Sequence, residues 1–230
     1  MQPFSIQALK KIDPGLAAAL DHVRAQVKAG TVDPDHFQRI TREIFTDPMT
    51  GLGNKKAYQD FLARPRQGVH IRIDGNDFGS INKEHGFEVG DAAIKSMGTA
   101  IREALHEVVG KRQAKSYRLG GDEFHAHVPD MQSAARFARR AREKLESIAP
   151  IGGTHELSLS IGFGQSPEHA EKALIHAKTA KKLVGYKLGQ ARTHVHSLVA
   201  GNEGAVPVEN TVKPALAPPT VAPVQEKPAA

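Results

Sequence analysis

The chain's 230 residues, 40% hydrophobic and 24% charged, suffice for one core-bearing domain with appendages and exclude two large ones. With no cysteine, a disulfide framework, a thiolate metal site and a cysteine nucleophile are all excluded. A net charge of +6 and a pI of about 9.5 suit polyanionic partners, but 5% aromatic residues and no tryptophan supply few stacking platforms, which argues against nucleic acid.

The opening residues 1–14 lack the apolar core of a signal peptide, and no apolar run reaches the roughly 18 residues that would read as a membrane span. The expectation is a chain of the cytoplasm with no membrane partner. Residues 1–46 read as two short helices. Asp13-Pro14 and Asp33-Pro34 are start signals, a cap followed by a first-turn proline, and Gly30 is a stop. Leu16, Leu20, Val23 and Val27 recur at helical spacing, as do Phe37, Ile40 and Ile44. Two such helices cannot bury their stripes alone, so they pack on the main domain or on a second copy.

Residues 47–200 alternate regularly. A strand over 69–73 precedes a helix over 89–109, with Val89, Ala93, Met97, Ile101, Leu105 and Val108 on one stripe. Strands over 114–118 and 123–128 flank the tight turn at Gly120-Gly121, and Asp130 caps a helix over 131–148. Leu157, Leu159, Ile161 and Phe163 alternate as a strand. A lysine-rich helix over 167–186 and a strand over 193–198 complete the series. Strand, helix, strand, strand, helix, strand is the βαββαβ order of a ferredoxin-like α+β palm with helices on one face, here with an appended helix and strand. From 201 to 230, six prolines amid Ala and Val predict an extended or disordered tail.

That topology sets the first strand antiparallel beside the third, so Asp74 at the end of one meets the turn carrying Asp122. Two convergent carboxylates suit a hard cation such as Mg²⁺, which takes one or two protein carboxylates and leaves its other positions to water and phosphates. Such a metal serves phosphoryl and nucleotidyl transfer. Gly120 and Gly121 clear side chains from a close backbone approach. Taken alone, the same residues also describe an ordinary hairpin.

The motifs shift that balance. RLGGDEF at 118–124 resembles the signature of the GGDEF family of diguanylate cyclases, and DPMTGLGN at 47–54 resembles that domain's opening D-x-L-T-G-L-x-N. IDGNDF at 73–78 with Ile81-Asn82, then Gly86, Gly90 and Asp91, is similar to its D-x-D-x-F-K-x-x-N segment, and Ser160-Ile161-Gly162 to its later strand. The resemblance covers roughly 46–198. It implies Mg²⁺ (or Mn²⁺) ligation by Asp74, Asp122 and the Gly75 carbonyl, and a role for Glu123 at the reactive centre, either in deprotonating the attacking 3′-hydroxyl or in helping to hold the metal. It further implies guanine reading by Asn82 and Asp91, with Phe78, Gly120, Gly121 and Lys187 around the nucleotide. GTP is the implied substrate, cyclic di-GMP the product and a transient homodimer the working unit.

There are departures. Gly79 stands where the family has a lysine, and Asn76 where it has a second Asp. The C-terminal A-K-x-x-G-R element fits in two registers. One uses Lys178 and Lys182; the other, preferred for the closing strand that follows, aligns Gly189 and leaves Lys187 or Arg192 nearby. Lys111-Arg112-Gln113-Ala114 lacks the aspartate of the R-x-x-D product-inhibition motif. A degenerate module that binds GTP or protein without turnover is therefore a competing expectation, and a palm-type transferase making another product a third. Paired histidines (His125 with His127, His194 with His196) are read as strand alternation rather than as a metal site. The run Arg136, Arg139, Arg140, Arg142 and Lys144 is read as a solvated face.

Overall fold

In the computed structural model, residues 4–64, 66–183, 194–198 and 206–207 are described, with side chains up to residue 180. The elements follow in order: α1 (Ile6–Ile12), α2 (Pro14–Lys28), α3 (Pro34–Phe45), α4 (Lys55–Leu62), β1 (Val69–Gly75), α5 (Phe78–His85), α6 (Phe87–Val109), β2 (Lys115–Gly120), β3 (Glu123–Val128), α7 (Met131–Glu146), β4 (Leu159–Gly164), α8 (Pro167–Leu183), β5 (His194–Leu198) and β6 (Val206–Pro207). The tail beyond residue 200 lies, apart from Val206–Pro207, outside the described residues.

The sheet runs β2-β3-β1-β4-β5-β6. β1 lies antiparallel between β3 and β4, and β5 joins β4 in parallel. The first four strands thus take the split βαβ order expected from the alternation. Period-two patterning puts Ile71, Ile73, Phe124, Ala126, Ile161 and Phe163 on one face, where they form the main core with Met97, Ile101 and Leu105 of α6 and Phe137 and Ala141 of α7.

The opposite face is also covered, which corrects the expectation of helices on one face only. α8 lies there, its buried Ala170, Ala173 and Ala177 close against β4. Gly162 makes this approach possible, since a Cβ at that position would fall 2.0 Å from the Leu174 backbone nitrogen. α4 covers the β2–β3 end of the same face, where Tyr58 and Phe61 pack on Tyr117 and His125.

Local signals account for the helix starts. Asp13, Asn54 and Asp130 side chains accept from the backbone N–H groups of Leu16, Ala57 and Ser133. The N-terminal segment holds three helices rather than two. Leu9, Ala17, Leu20 and Phe45 form a separate small core that reaches Ala57 of α4. Ser5 N–H donates to Asp60 and Lys56 pairs with Asp13, at 3.0 and 2.8 Å, so the segment packs on the main domain.

Candidate functional site

Asp74 and Asp122 meet at the sheet's rim. β1 pairs with β3 in the register Asp74↔Glu123, placing the Gly120-Gly121 turn beside the end of β1. The Gly75 N–H donates to the Asp122 carbonyl at 3.1 Å. A Cβ at Gly75 would crowd the Asp122 Cβ (3.1 Å) and the Met97 sulfur (3.0 Å), so glycine lets the two chains lie this close without displacing either side chain. Burial raises the Asp122 carboxyl above its ordinary pKa, and the Asp74 charge adds to the rise, partly offset by Lys178. The two carboxylates are electrostatically coupled. Gly120 and Gly121 have positive φ, 152° and 50°, and open space where side chains would be, so the turn's backbone is accessible from outside.

A cation already stands at this pair. Lys178 Nζ lies 2.7 Å from Asp74 Oδ2. This favours the register of the C-terminal element that uses Lys178 over the one preferred on the sequence, which rested on Gly189. Lys187 and the Lys182 side chain lie outside the described residues.

Glu123 is half exposed on the same face. Arg72 lies between it and α8, 3.5 Å from Glu123 Oε2 and 2.6 Å from Glu171 Oε2. Sequence reasoning missed Arg72; its signal was the period-two placement with Asp74 on the α8 side of β1.

Asn82 and Phe78, four residues apart on α5, both face Gly90 of α6. A Cβ at Gly90 would fall 1.8 Å from Asn82 Oδ1 and 3.3 Å from the Phe78 ring. Asn82 Oδ1 is buried without a hydrogen-bond partner, and Asp91 is exposed on the adjoining position. An orphaned acceptor of this kind is suited to a ligand donor.

Two further motif residues position the turn. Arg118 donates to both Asp47 oxygens at 3.4 and 3.2 Å, and through Nε to the Gly121 carbonyl at 2.9 Å. Asp47 also accepts from the Thr50 N–H and hydroxyl. The opening motif and the signature turn are thereby tied together. Asn76, at the departure from the family's second Asp, donates to Ser158 Oγ (3.0 Å) and accepts from Ser160 Oγ (2.8 Å). An amide does both without charge, whereas the ionised aspartate of the family pattern could only accept.

The remaining candidates fall away from the site. His125 and His127 do share a face, buried with His70 (Nδ1 3.3 Å from His125 Nε2) under Phe61. Burial holds both below the ordinary imidazole range, His127 at about 4. For His194 and His196 only the backbone is described. The basic run on α7 is largely paired: Lys144 with Glu107 (2.7 Å), Arg140 with Glu143 (2.8 Å) and Arg142 with Glu146 (3.6 Å). No described helix is long and apolar enough to cross a membrane.

Comparison with known proteins agrees with this geometry. The family described as "Diguanylate cyclase, GGDEF domain" matches residues 44–189. The chain is 25% identical over 191 residues to diguanylate cyclase DgcS of Shewanella oneidensis, covering 77% of this chain and 61% of that protein. It is 29% identical over 167 residues to DgcN of Escherichia coli, covering 67% of this chain and 38% of the relative. It thus spans less than two thirds of each. Among solved structures, the coiled coil and GGDEF domain of Caulobacter crescentus DgcB, in complex with c-di-GMP, superposes with a TM-score of 0.57. That match has 21% identity over 80% of this chain and 99% of the other. Pseudomonas aeruginosa SiaD, solved with its activator SiaC, gives 0.52 at 20% identity over 76% of each chain. At such identity these likenesses establish the fold.

Proposed function

This chain belongs to the GGDEF family of diguanylate cyclase domains, and from that membership we propose that it condenses two GTP molecules into cyclic di-GMP. The observation that carries the reading is the pair of coupled carboxylates, Asp74 and Asp122, at an open glycine turn with a lysine against them.

The donor set fits a hard divalent cation: carboxylate oxygens and the Gly75 carbonyl, with no sulfur, and with Lys178 holding a positive charge at Asp74. Mg²⁺ or Mn²⁺ bound by Asp74, Asp122 and Gly75 would supply neutralisation of the triphosphate charge.

The protein's own groups do the rest. Asn82 offers its unsatisfied oxygen to the guanine amine or N1–H, and Asp91 accepts beside it, a pattern adenine cannot meet. Phe78 stands beside Asn82 against Gly90, and the bare backbone at Gly120 and Gly121 lets phosphate oxygens approach. In each of two equivalent steps, the 3′-hydroxyl of one GTP attacks the α-phosphorus of the other. The O3′–P bond forms as the bond to the bridging oxygen breaks, and pyrophosphate leaves with that electron pair. Glu123, held beside Arg72, accepts the hydroxyl proton. Each domain holds one GTP, so the working unit is a transient homodimer. GTP is a cytoplasmic nucleotide, which supports a cytoplasmic location for the domain.

Gly79 motivates a second reading, a GTP-binding regulatory domain without turnover: that helix position is open to solvent and bears no cation. One experiment separates the two. Incubation with GTP and Mg²⁺, followed by mass spectrometry, should yield cyclic di-GMP and pyrophosphate, lost in Asp122→Ala. GTP binding by calorimetry with no product from a folded dimer would replace the first reading with the second.

A further inference from the structure

A second group of metal-ligating side chains meets where α5 ends. One ligand atom from each of Glu84, His85 and His155 lies within 4.8 Å of the other two. Glu84 and His85 are the last residues of α5, and His155 sits in the segment between α7 and β4. His85 Nε2 is 3.0 Å from His155 Nδ1, and the other His155 nitrogen, Nε2, is 3.6 Å from Glu84 Oε2.

The surroundings look built for this meeting. His155 is 5% exposed. Gly152 has φ +61°, and a Cβ there would fall 2.6 Å from His85 Nδ1, so glycine alone lets the turn close on the imidazole. Thr154 Oγ1 lies 3.3 Å from both His85 Nε2 and His155 Nδ1, able to orient either ring.

A plain imidazole–imidazole hydrogen bond explains only part of this. It satisfies one nitrogen of each ring and leaves His155 Nε2 buried without a partner, its carboxylate neighbour beyond hydrogen-bond reach. A cation gives the two rings and the carboxylate a common partner. Two imidazoles and one carboxylate, with a further position open to water, are the donor set of a zinc-class ion, whereas Mg²⁺ prefers all-oxygen ligation. We infer that Glu84, His85 and His155 form a second cation site, selective for a borderline ion such as Zn²⁺ over Mg²⁺, that ties the end of α5 to the turn at residues 151–155. The site shares no residue with the Asp74–Asp122 pair and does not depend on turnover.

The test is Zn²⁺ titration of the tag-free, chelator-stripped full chain by calorimetry, with no nucleotide and with excess Mg²⁺ to occupy the carboxylate pair. The expected result is one Zn²⁺ per chain, bound at least tenfold more weakly by His85→Ala and by Glu84→Gln, with Co²⁺ in its place giving the intense visible bands of a tetrahedral site. Glu84 is exposed and His85 half-buried, so both variants should fold, as circular dichroism would verify. Isotherms identical in all three proteins, or Zn²⁺ uptake removed only by Asp74→Ala, would overturn the assignment.

Discussion

Lys178 Nζ stands 2.7 Å from Asp74 Oδ2, joining α8 to the end of β1 at the carboxylate pair. Asp74 is largely buried, whereas the Lys178 side chain is 43% exposed, so the pair matters more for local charge than for stability. The ammonium supplies the carboxylate pair with a counter-charge, and the same ammonium can turn to the phosphates of a bound triphosphate. Lys178→Ala should therefore shift two affinities in opposite directions. Mg²⁺ alone should bind the variant more tightly, because two carboxylates lose their internal counter-charge. KM for GTP should rise about tenfold, as expected for one lost charge-assisted hydrogen bond. Metal titration without nucleotide, set beside steady-state kinetics, reads both, and Lys178→Arg should recover part of the KM.

Asp122 carries a signed consequence for pH. Its carboxyl is raised above the ordinary value in the folded protein, first by burial and then by Asp74. Between the unfolded and folded values the native state holds the extra proton, so stability falls as pH rises through that window. Asp122→Asn should therefore be more stable than the parent at pH 7 without metal. After discounting for solvent screening the gain is a few tenths of a kcal/mol, or about 1 °C in Tm. The difference should vanish below about pH 3, where both states of the parent are protonated, and shrink when Mg²⁺ is added. Turnover should fall by a factor of about 10³ or more, and parent activity should decline on acidification at a higher pH than an ordinary aspartate would set.

Gly162 illustrates how tightly the second face is built. A Cβ there would meet backbone, the Leu174 nitrogen at 2.0 Å and the Ala170 carbonyl oxygen at 2.5 Å, and backbone cannot turn aside as a flexible side chain can. Gly162→Ala should cost about 3 kcal/mol in denaturant unfolding, at the upper end of overpacking effects. It should also raise KM, because α8 can relieve the clash only by lifting away from β4 and carrying Lys178 with it. A variant with parental stability and parental KM would show that α8 packs elsewhere.

Much of this was legible in the sequence, for identifiable reasons. Alternation in β1, β3 and β4 is strict because one face of each meets the main core, and Asp13, Asp33 and Asp130 are caps whose oxygens accept the bonds their positions predict. Asp74 and Asp122 were found because the order of strands dictates which ends are neighbours. What escaped depends on distance across the fold. Nothing local ties Lys178 rather than Lys187 to Asp74, since spacing along a helix says little about which sheet face the helix will cover. Arg72 looked like one more polar position of a strand until α8 brought Glu171 to it. The meeting of Glu84 and His85 with His155 is likewise a product of topology, and no local pattern marks it.

Gly79 supplies the converse test, a position with room to spare. It lies in the first turn of α5, where a Cβ would find nothing within 4 Å, and its φ is not in the left-handed range. A glycine there is less favourable than most residues by up to about 1 kcal/mol through backbone entropy alone. Gly79→Lys should therefore fold normally and raise stability by a few tenths of a kcal/mol or more, measured by thermal unfolding. It would also restore a cation one residue after Phe78, beside the pocket assigned to GTP. If the domain is a cyclase weakened by the missing charge, the variant should lower KM for GTP by about three- to tenfold with kcat little changed, since a ground-state phosphate contact adds binding rather than transition-state selectivity. A more stable variant with unaltered GTP affinity would place the triphosphate away from the start of α5.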